Sequence, residues 1–263
     1  MKRRSFLQSS VAALGTAAAA SAAPVAGSTG VARAGEVYEL KVHALHPGKQ
    51  PVLDGYLSRA FIPAVKRAGA GPVGVFLEAA GTDAAKVYVL VVHPSADHVA
   101  TLPARLATDA EYQAAAKDYL AAPASDPVYT RIESSLLAPI AGMPRLAKPD
   151  TSKPRLLNLR TYESHNERAA AKKIEMFNTG ELAIFRRVGL TPVFFAAAVV
   201  GPAMPNLTYM LVFPDDASRK SAWGRFGGDA EWRKLKAIPE YADKEIVSHI
   251  TNRVLTPAPY SEI

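Results

Sequence analysis

Lys41 and His43 stand two residues apart, as do Arg160 and Tyr162, and residues two apart on a strand share a face. A cation beside a group that moves protons suits an anionic or enolisable ligand. The cation holds developing negative charge, and the histidine or tyrosine exchanges a proton or donates a hydrogen bond. Leu40, Val42 and Ala44 oppose the first pair, and Leu157 and Leu159 oppose the second, so each strand has one polar and one apolar face. If two such sheets close on each other, the polar face is expected to line the cavity between them or its mouth. Tyr88 joins the set, with Phe76, Phe194 and Met210 as further walls. Ligand-binding candidates are therefore Lys41, His43, Arg160, Tyr162 and Tyr88, with no catalytic residue assigned. The plainer reading is that these polar tips sit at strand ends in water. Phe194, Phe195 and Phe213 are bulky enough to close the cavity.

Other chemistries find little support. The chain has no cysteine, which excludes disulfides, thiolate metal sites and a cysteine nucleophile. His43 and His46 fall on opposite faces of a strand, no acid lies beside them in sequence, and His93 with His98 has no diagnostic spacing, so no metal is expected. His165 and His249 are conceivable axial haem ligands, but nothing local singles either out, and no cofactor is expected. Nucleophile elbows, Walker loops and dinucleotide fingerprints are absent. The glycines of 224–228 read as a cap and turn between helices. Glu163 with Glu167, and Asp215 with Asp216, suit helix N-termini.

The elements that must position the candidates come from an internal repeat, residues 66–112 and 186–232 being displaced by a constant 120 positions. Lys66-Arg67 matches Arg186-Arg187, Gly69 matches Gly189, Pro72-Val73 matches Pro192-Val193, and Asp109-Ala110-Glu111-Tyr112 matches Asp229-Ala230-Glu231-Trp232. Such a repeat implies two similar modules. Periodicity in the first predicts strand 38–45, helix 53–68, strands 73–79 and 86–93, helices 96–106 and 109–120, and strand 129–138. The second repeats this as strand 156–162, helix 167–188, strands 191–200 and 206–213, helices 217–225 and 229–238, and strand 246–255. In its long helix Ile174, Phe177, Ile184 and Val188 form an apolar stripe that Glu181 interrupts, and Asn178-Thr179-Gly180 suggests a kink. Residues 139–154, rich in proline, read as an extended linker between modules 35–138 and 155–263. Each module is a ferredoxin-like β-α-β-β-α-β unit with helices on one sheet face. The fold class expected is α+β, two tandem units packed sheet to sheet as a barrel. A homodimer that swaps the pairing is the competing arrangement.

Lys2-Arg3-Arg4-Ser5-Phe6-Leu7 followed by the small-residue run 11–23 has the form of a twin-arginine export signal over residues 1–34. Ala32-Arg33-Ala34 is the preferred cleavage site. The run is too broken by Ser, Gly and Thr for a membrane span. A periplasmic or secreted protein, folded before export, is the expectation. Loss of Lys2, Arg3, Arg4 and Arg33 lowers the formal charge of +7 by four to +3. That charge is weak and dispersed, which argues against nucleic acid.

The chain resembles the NIPSNAP family. The resemblance rests on Glu39-Leu40-Lys41-Val42-His43 with Pro47-Gly48-Lys49, and on Leu159-Arg160-Thr161-Tyr162-Glu163. Helix ends at Arg67-Ala68-Gly69 and Arg187-Val188-Gly189, the Asp109–Tyr112 and Asp229–Trp232 helices, and the endings Leu137-Ala138-Pro139 and Leu255-Thr256-Pro257 are similar too. It implies the dimeric α+β-barrel superfamily shared with small monooxygenases and isomerases, and brings no established catalytic residues. Lys41 and His43 stand where the pattern has arginine and tyrosine. Two readings follow: an exported binder or enzyme for a small molecule in the cavity between modules, or a noncatalytic interaction protein of the cell envelope.

Overall fold

The computed structural model describes residues 35–78 and 86–263; the export-signal expectation lies outside them. The first module runs β1 (Val37–Leu45), α1 (Gln50–Tyr56), a π turn (Leu57–Phe61), α2 (Ile62–Arg67), β2 (Val73–Glu78), β3 (Lys86–His93), α3 (Ala96–Thr108), α4 (Ala110–Leu120) and β4 (Tyr129–Pro139). The second runs β5 (Leu156–Glu163), α5 (Glu167–Met176), a π turn (Phe177–Glu181), α6 (Leu182–Val188), β6 (Thr191–Val200), β7 (Asn206–Phe213), α7 (Asp216–Gly228), α8 (Ala230–Lys236), a 3₁₀ turn (Pro239–Tyr241), α9 (Asp243–Ile246) and β8 (His249–Pro257). Among the described residues no helix is long and apolar enough to cross a membrane.

The eight strands close in the order β1-β3-β2-β8-β5-β7-β6-β4. Each module supplies a four-stranded antiparallel sheet, and the sheets meet at two short seams. At one, Leu136–Pro139 of β4 pairs with β6; at the other, Phe76–Glu78 of β2 pairs with β8. The intramolecular barrel is thus formed within one chain. Its interior is apolar, with Tyr38, Phe76, Leu90, Leu137, Leu157, Phe194, Met210, Leu255 and Ile263 packed together. Gly74 makes room for this packing, since a Cβ there would stand 2.5 Å from the Phe76 ring and 3.1 Å from Ile263. Two further cores lie outside the barrel, each between a sheet and its own helices.

The repeated sequence landmarks are structural. Asp109 and Asp229 cap α4 and α8 by accepting the backbone N–H of Tyr112 and Trp232. The same carboxylates bind Arg67 at 2.8 Å and Arg187 at 2.8 Å, tying each cap to the end of the preceding helix. Gly69 and Gly189 end those helices at φ +90° and +84°, a region glycine enters without a Cβ clash.

Three expectations need correcting. Residues 224–228 continue α7 rather than forming a turn between helices. Ile246 is a buried helical residue of α9, and the last strand begins at His249. Part of 139–154 is fastened down: Ile140 and Ala147 donate to the carbonyls of Phe195 and Val193, and Gly142 donates to the Asn178 side chain. Ile140 is fully buried, so apolar packing overrides the proline signal there.

Candidate functional site

The alternation on β1 and β5 is as expected, but the faces are reversed. Tyr38, Leu40, Leu157 and Leu159 turn into the barrel, while Lys41, His43, Arg160 and Tyr162 turn outward beneath the helices. The apolar sides of two sheets bury most surface against each other, which sends the polar set into the sheet–helix layers. Tyr88 alone of the five points into the barrel. The structure therefore divides the predicted set among three places.

In the first module Lys41 and His43 line a pocket of 220 Å³ with Tyr56, Phe61, Val89, Tyr119, Tyr129 and Ile132. A neighbouring recess of 340 Å³ shares Lys41, Tyr56 and Phe61 and reaches Leu102 and Tyr112. The π turn of residues 57–61 lies at this wall, and such turns re-aim side chains by inserting one residue. Tyr56 stacks on Tyr119 with ring centroids 3.8 Å apart, and its hydroxyl lies 2.9 Å from that of Tyr112, giving the pocket flat walls. Leu120, Tyr129 and Ile132 are all exposed large apolar residues; the last two line the pocket itself.

His43 is 4% exposed. Burial first, then the neighbouring Lys41 charge, lowers its pKa to about 4. The nearby Val87 backbone opposes the shift. Nδ1 is buried and has no hydrogen-bond partner. The edge of Tyr129 stands 6.1 Å away. Lys41 Nζ lies 3.1 Å from Glu39 Oε1 and 5.5 Å above the Phe61 ring, a fixed cation at the junction of the two recesses.

In the second module the corresponding space is occupied. Arg160 lies over Trp223 at 4.6 Å and Tyr162 at 5.4 Å, and Tyr209 donates a 2.9 Å hydrogen bond to Tyr162. Lys173 and Glu181 form an ion pair at 2.9 Å with both side chains 2% exposed. Lys173 also sits over the Phe177, Tyr162 and Trp232 rings. Burial pushes the Glu181 carboxyl upward against the pull of Lys173. Arg160 and Tyr162 thus belong to a packed polar core.

Tyr88 stands at the barrel mouth, where a cavity of 220 Å³ is lined by Lys86, Glu133, Thr161, Thr208 and Arg253 among others. Its hydroxyl donates to Glu78 at 2.6 Å, and burial first, then Glu78, raises its pKa. Phe76, Phe194 and Met210 are packed into the barrel core rather than walling a pocket with the polar set, while Phe195 and Phe213 pack in the second module's helical layer. His165 and His249 are both exposed. Among the described residues no group of three or more acid, histidine or cysteine side chains is arranged to hold a metal ion.

Sequence reasoning missed Glu39, which shares the face of Lys41 and His43 and was readable from the same alternation. It also missed Tyr56, Tyr119 and Tyr129. They come from three separate elements, and no single period links them.

The sequence matches the NIPSNAP family twice, over residues 38–141 and 157–262. None of the curated proteins matches it. Among solved structures, a candidate monooxygenase from Fusobacterium nucleatum subsp. nucleatum superposes with a TM-score of 0.57 at 7% identity, covering 85% of this chain and 93% of that one. A second candidate monooxygenase, from Lactobacillus acidophilus, gives 0.56 at 10% identity, covering 85% and 94%. An anthrone oxidase-like protein gives 0.52 at 9% identity, covering 87% and 93%. At these identities the likeness shows the fold.

Proposed function

The chain belongs to the NIPSNAP family, whose domain it carries twice, and from that premise we propose that its first module binds a planar, ionisable small molecule as its anion. The observation that carries this reading is the Lys41 cation, held by Glu39 at the junction of two aromatic-walled recesses beside a buried neutral histidine. A phenol or enol binds there as its anion, its proton passing to water, because an imidazole that titrates near 4 cannot hold it. The Lys41 ammonium then holds the negative charge left on oxygen. Lys41 also keeps His43 neutral, since a second positive charge nearby is disfavoured. The monooxygenase descriptions of the structural neighbours suit a substrate made electron-rich by losing a proton. The barrel mouth around Tyr88 remains a second polar recess, but its tyrosine is already committed to Glu78.

The test is calorimetric titration of the purified protein with a panel of naphthols and aryl β-diketones. Saturable binding is expected, with the bound ligand's absorbance shifted to that of its anion. Lys41→Met should weaken binding and abolish the shift, whereas His43→Phe should leave the shift in place. If no member binds, or Lys41→Met behaves as the wild type, the reading fails.

We further propose export through a twin-arginine route, supported by Arg3-Arg4-Ser5-Phe6-Leu7 and the weakly apolar run after it. Replacing Arg3 and Arg4 by lysine should retain the protein in the cytoplasm of its host. Unchanged fractionation would sink the proposal.

A further inference from the structure

Behind the first-module pocket runs a row of buried polar groups whose hydrogens can be counted. Lys41 Nζ is 3.1 Å from Glu39 Oε1, and Glu39 Oε2 is 3.4 Å from His93 Nε2. His93 Nδ1 is 3.0 Å from His98 Nδ1, and His98 Nε2 is 2.8 Å from the carbonyl oxygen of Ala68. A carbonyl oxygen only accepts, so His98 Nε2 carries a hydrogen. Two ring nitrogens 3.0 Å apart need one hydrogen between them. His93 is wholly buried, and its Nε2 has no well-formed hydrogen bond; a bare lone pair aimed at a carboxylate there would be repulsive. A third hydrogen is required, and two neutral imidazoles supply two.

We infer that Glu39, His93 and His98 together hold one proton more than a carboxylate and two neutral imidazoles would, so that this cluster is neutral, Lys41 gives the pocket a net positive charge, and the ligand is a planar monoanion such as a phenolate, enolate or aryl carboxylate. This rests on the pocket reading above and names its ligand class. The position of the proton follows from the helix. His98 lies in the first turn of α3, where the Ser95 side chain caps its backbone N–H at 3.1 Å, and the positive end of a helix disfavours a cation. The extra proton therefore resides on the His93 side, shared with Glu39. Burial opposes charge on Glu39, but His93 and Lys41 hold its carboxyl below the usual range, as a carboxylate between two cations requires. The other polar groups packed against the row are Ser134 of β4, which donates to Glu39 at 3.1 Å, and Arg105 of α3, which donates to the Ala68 carbonyl at 3.3 Å. Neither brings a negative charge.

The test uses the full chain with 15N-labelled histidine and long-range 1H–15N spectra at neutral pH. One imidazole with both nitrogens protonated is expected, assigned to His93 by its loss in His93→Gln, beside a His98 ring protonated at Nε2. Two neutral rings in the pair would overturn the inference. In parallel, 2-naphthoate and 2-naphthamide are titrated by calorimetry. The wild type should prefer the anion by about tenfold, the gain of a charge-assisted over a neutral hydrogen bond. That preference should vanish in His93→Gln and in Lys41→Met, the second variant serving if the first fails to fold. A preference that survives removal of Lys41 refutes the ligand class. If neither probe binds the wild type, the pocket reading itself falls, while the spectra still decide the proton count.

Discussion

At corresponding positions of the repeat the first module places Leu53, Phe61 and Val89 where the second places Lys173, Glu181 and Tyr209. The same strand, π turn and sheet partner therefore frame a hollow in one half and a filled polar core in the other. In the first half the polar groups stand on the strand and face a recess. In the second, the strand's Arg160 and Tyr162 are engaged by partners from the helices and from β7. Duplication supplied two copies of one scaffold. At this place in the repeat the first copy leaves a recess and the second is filled, and the first is the copy whose strand carries histidine rather than tyrosine.

Breaking the filled side should have the largest effect. Lys173→Met leaves the Glu181 carboxyl unpaired in a buried core, and denaturant unfolding should show a loss of about 3–5 kcal/mol. The double variant Lys173→Leu with Glu181→Phe installs the first module's residues and should recover most of that loss. A cost below about 1 kcal/mol for the single change would mean that the pair is wetter than its burial implies.

The hollow side should respond to pH instead. His43 has its folded pKa lowered from the ordinary value of 6.5 to about 4, so the unfolded chain takes up the proton first. Its contribution is fully present above 6.5, and stability falls as pH drops from there towards 4, by on the order of 3 kcal/mol. Unfolding curves of His43→Phe should be flatter across this window. An identical slope in the variant would show that His43 is solvated in the fold.

Two smaller changes sharpen the comparison. Asp109→Ala and Asp229→Ala each remove a helix cap and an arginine partner, and calorimetry should show similar drops of a few degrees, because here the halves are alike. A large inequality would mean that the caps are not equivalent. Lys41→Met, with a partly exposed side chain, should alter stability by less than about 1 kcal/mol while weakening anion binding.

The repeat, the strands and the barrel were legible because alternation and helical periods are written in local sequence. The face assignment was not. Whether Leu40 or Lys41 points into the barrel depends on which surface meets the other module, and both faces of β1 are largely covered. The Lys173–Glu181 pair was hidden by a different cause. Eight residues apart on a regular helix, their side chains would diverge by about 80°. The π turn of residues 177–181 absorbs one residue and brings them back onto one side. Glu181 thus looked like a break in an apolar stripe rather than half of a pair. His93 and His98 stand out as a pair in the sequence, yet the turn that folds α3 back over β3 is what sets their Nδ1 atoms 3.0 Å apart.

The two seams that close the barrel also set an order of events. β2 meets β8 at Phe76–Glu78 against Leu255–Pro257, and the residues after β8 continue onto Val73 and Val75, segments far apart in the chain, whereas each sheet packs on helices from its own half. Loop-closure entropy makes such distant pairings slow to form. Each half is therefore expected to collapse on its own helices first, with the barrel zipping shut last, and under mechanical load or partial denaturation the molecule should part along these seams before either half loses its helices.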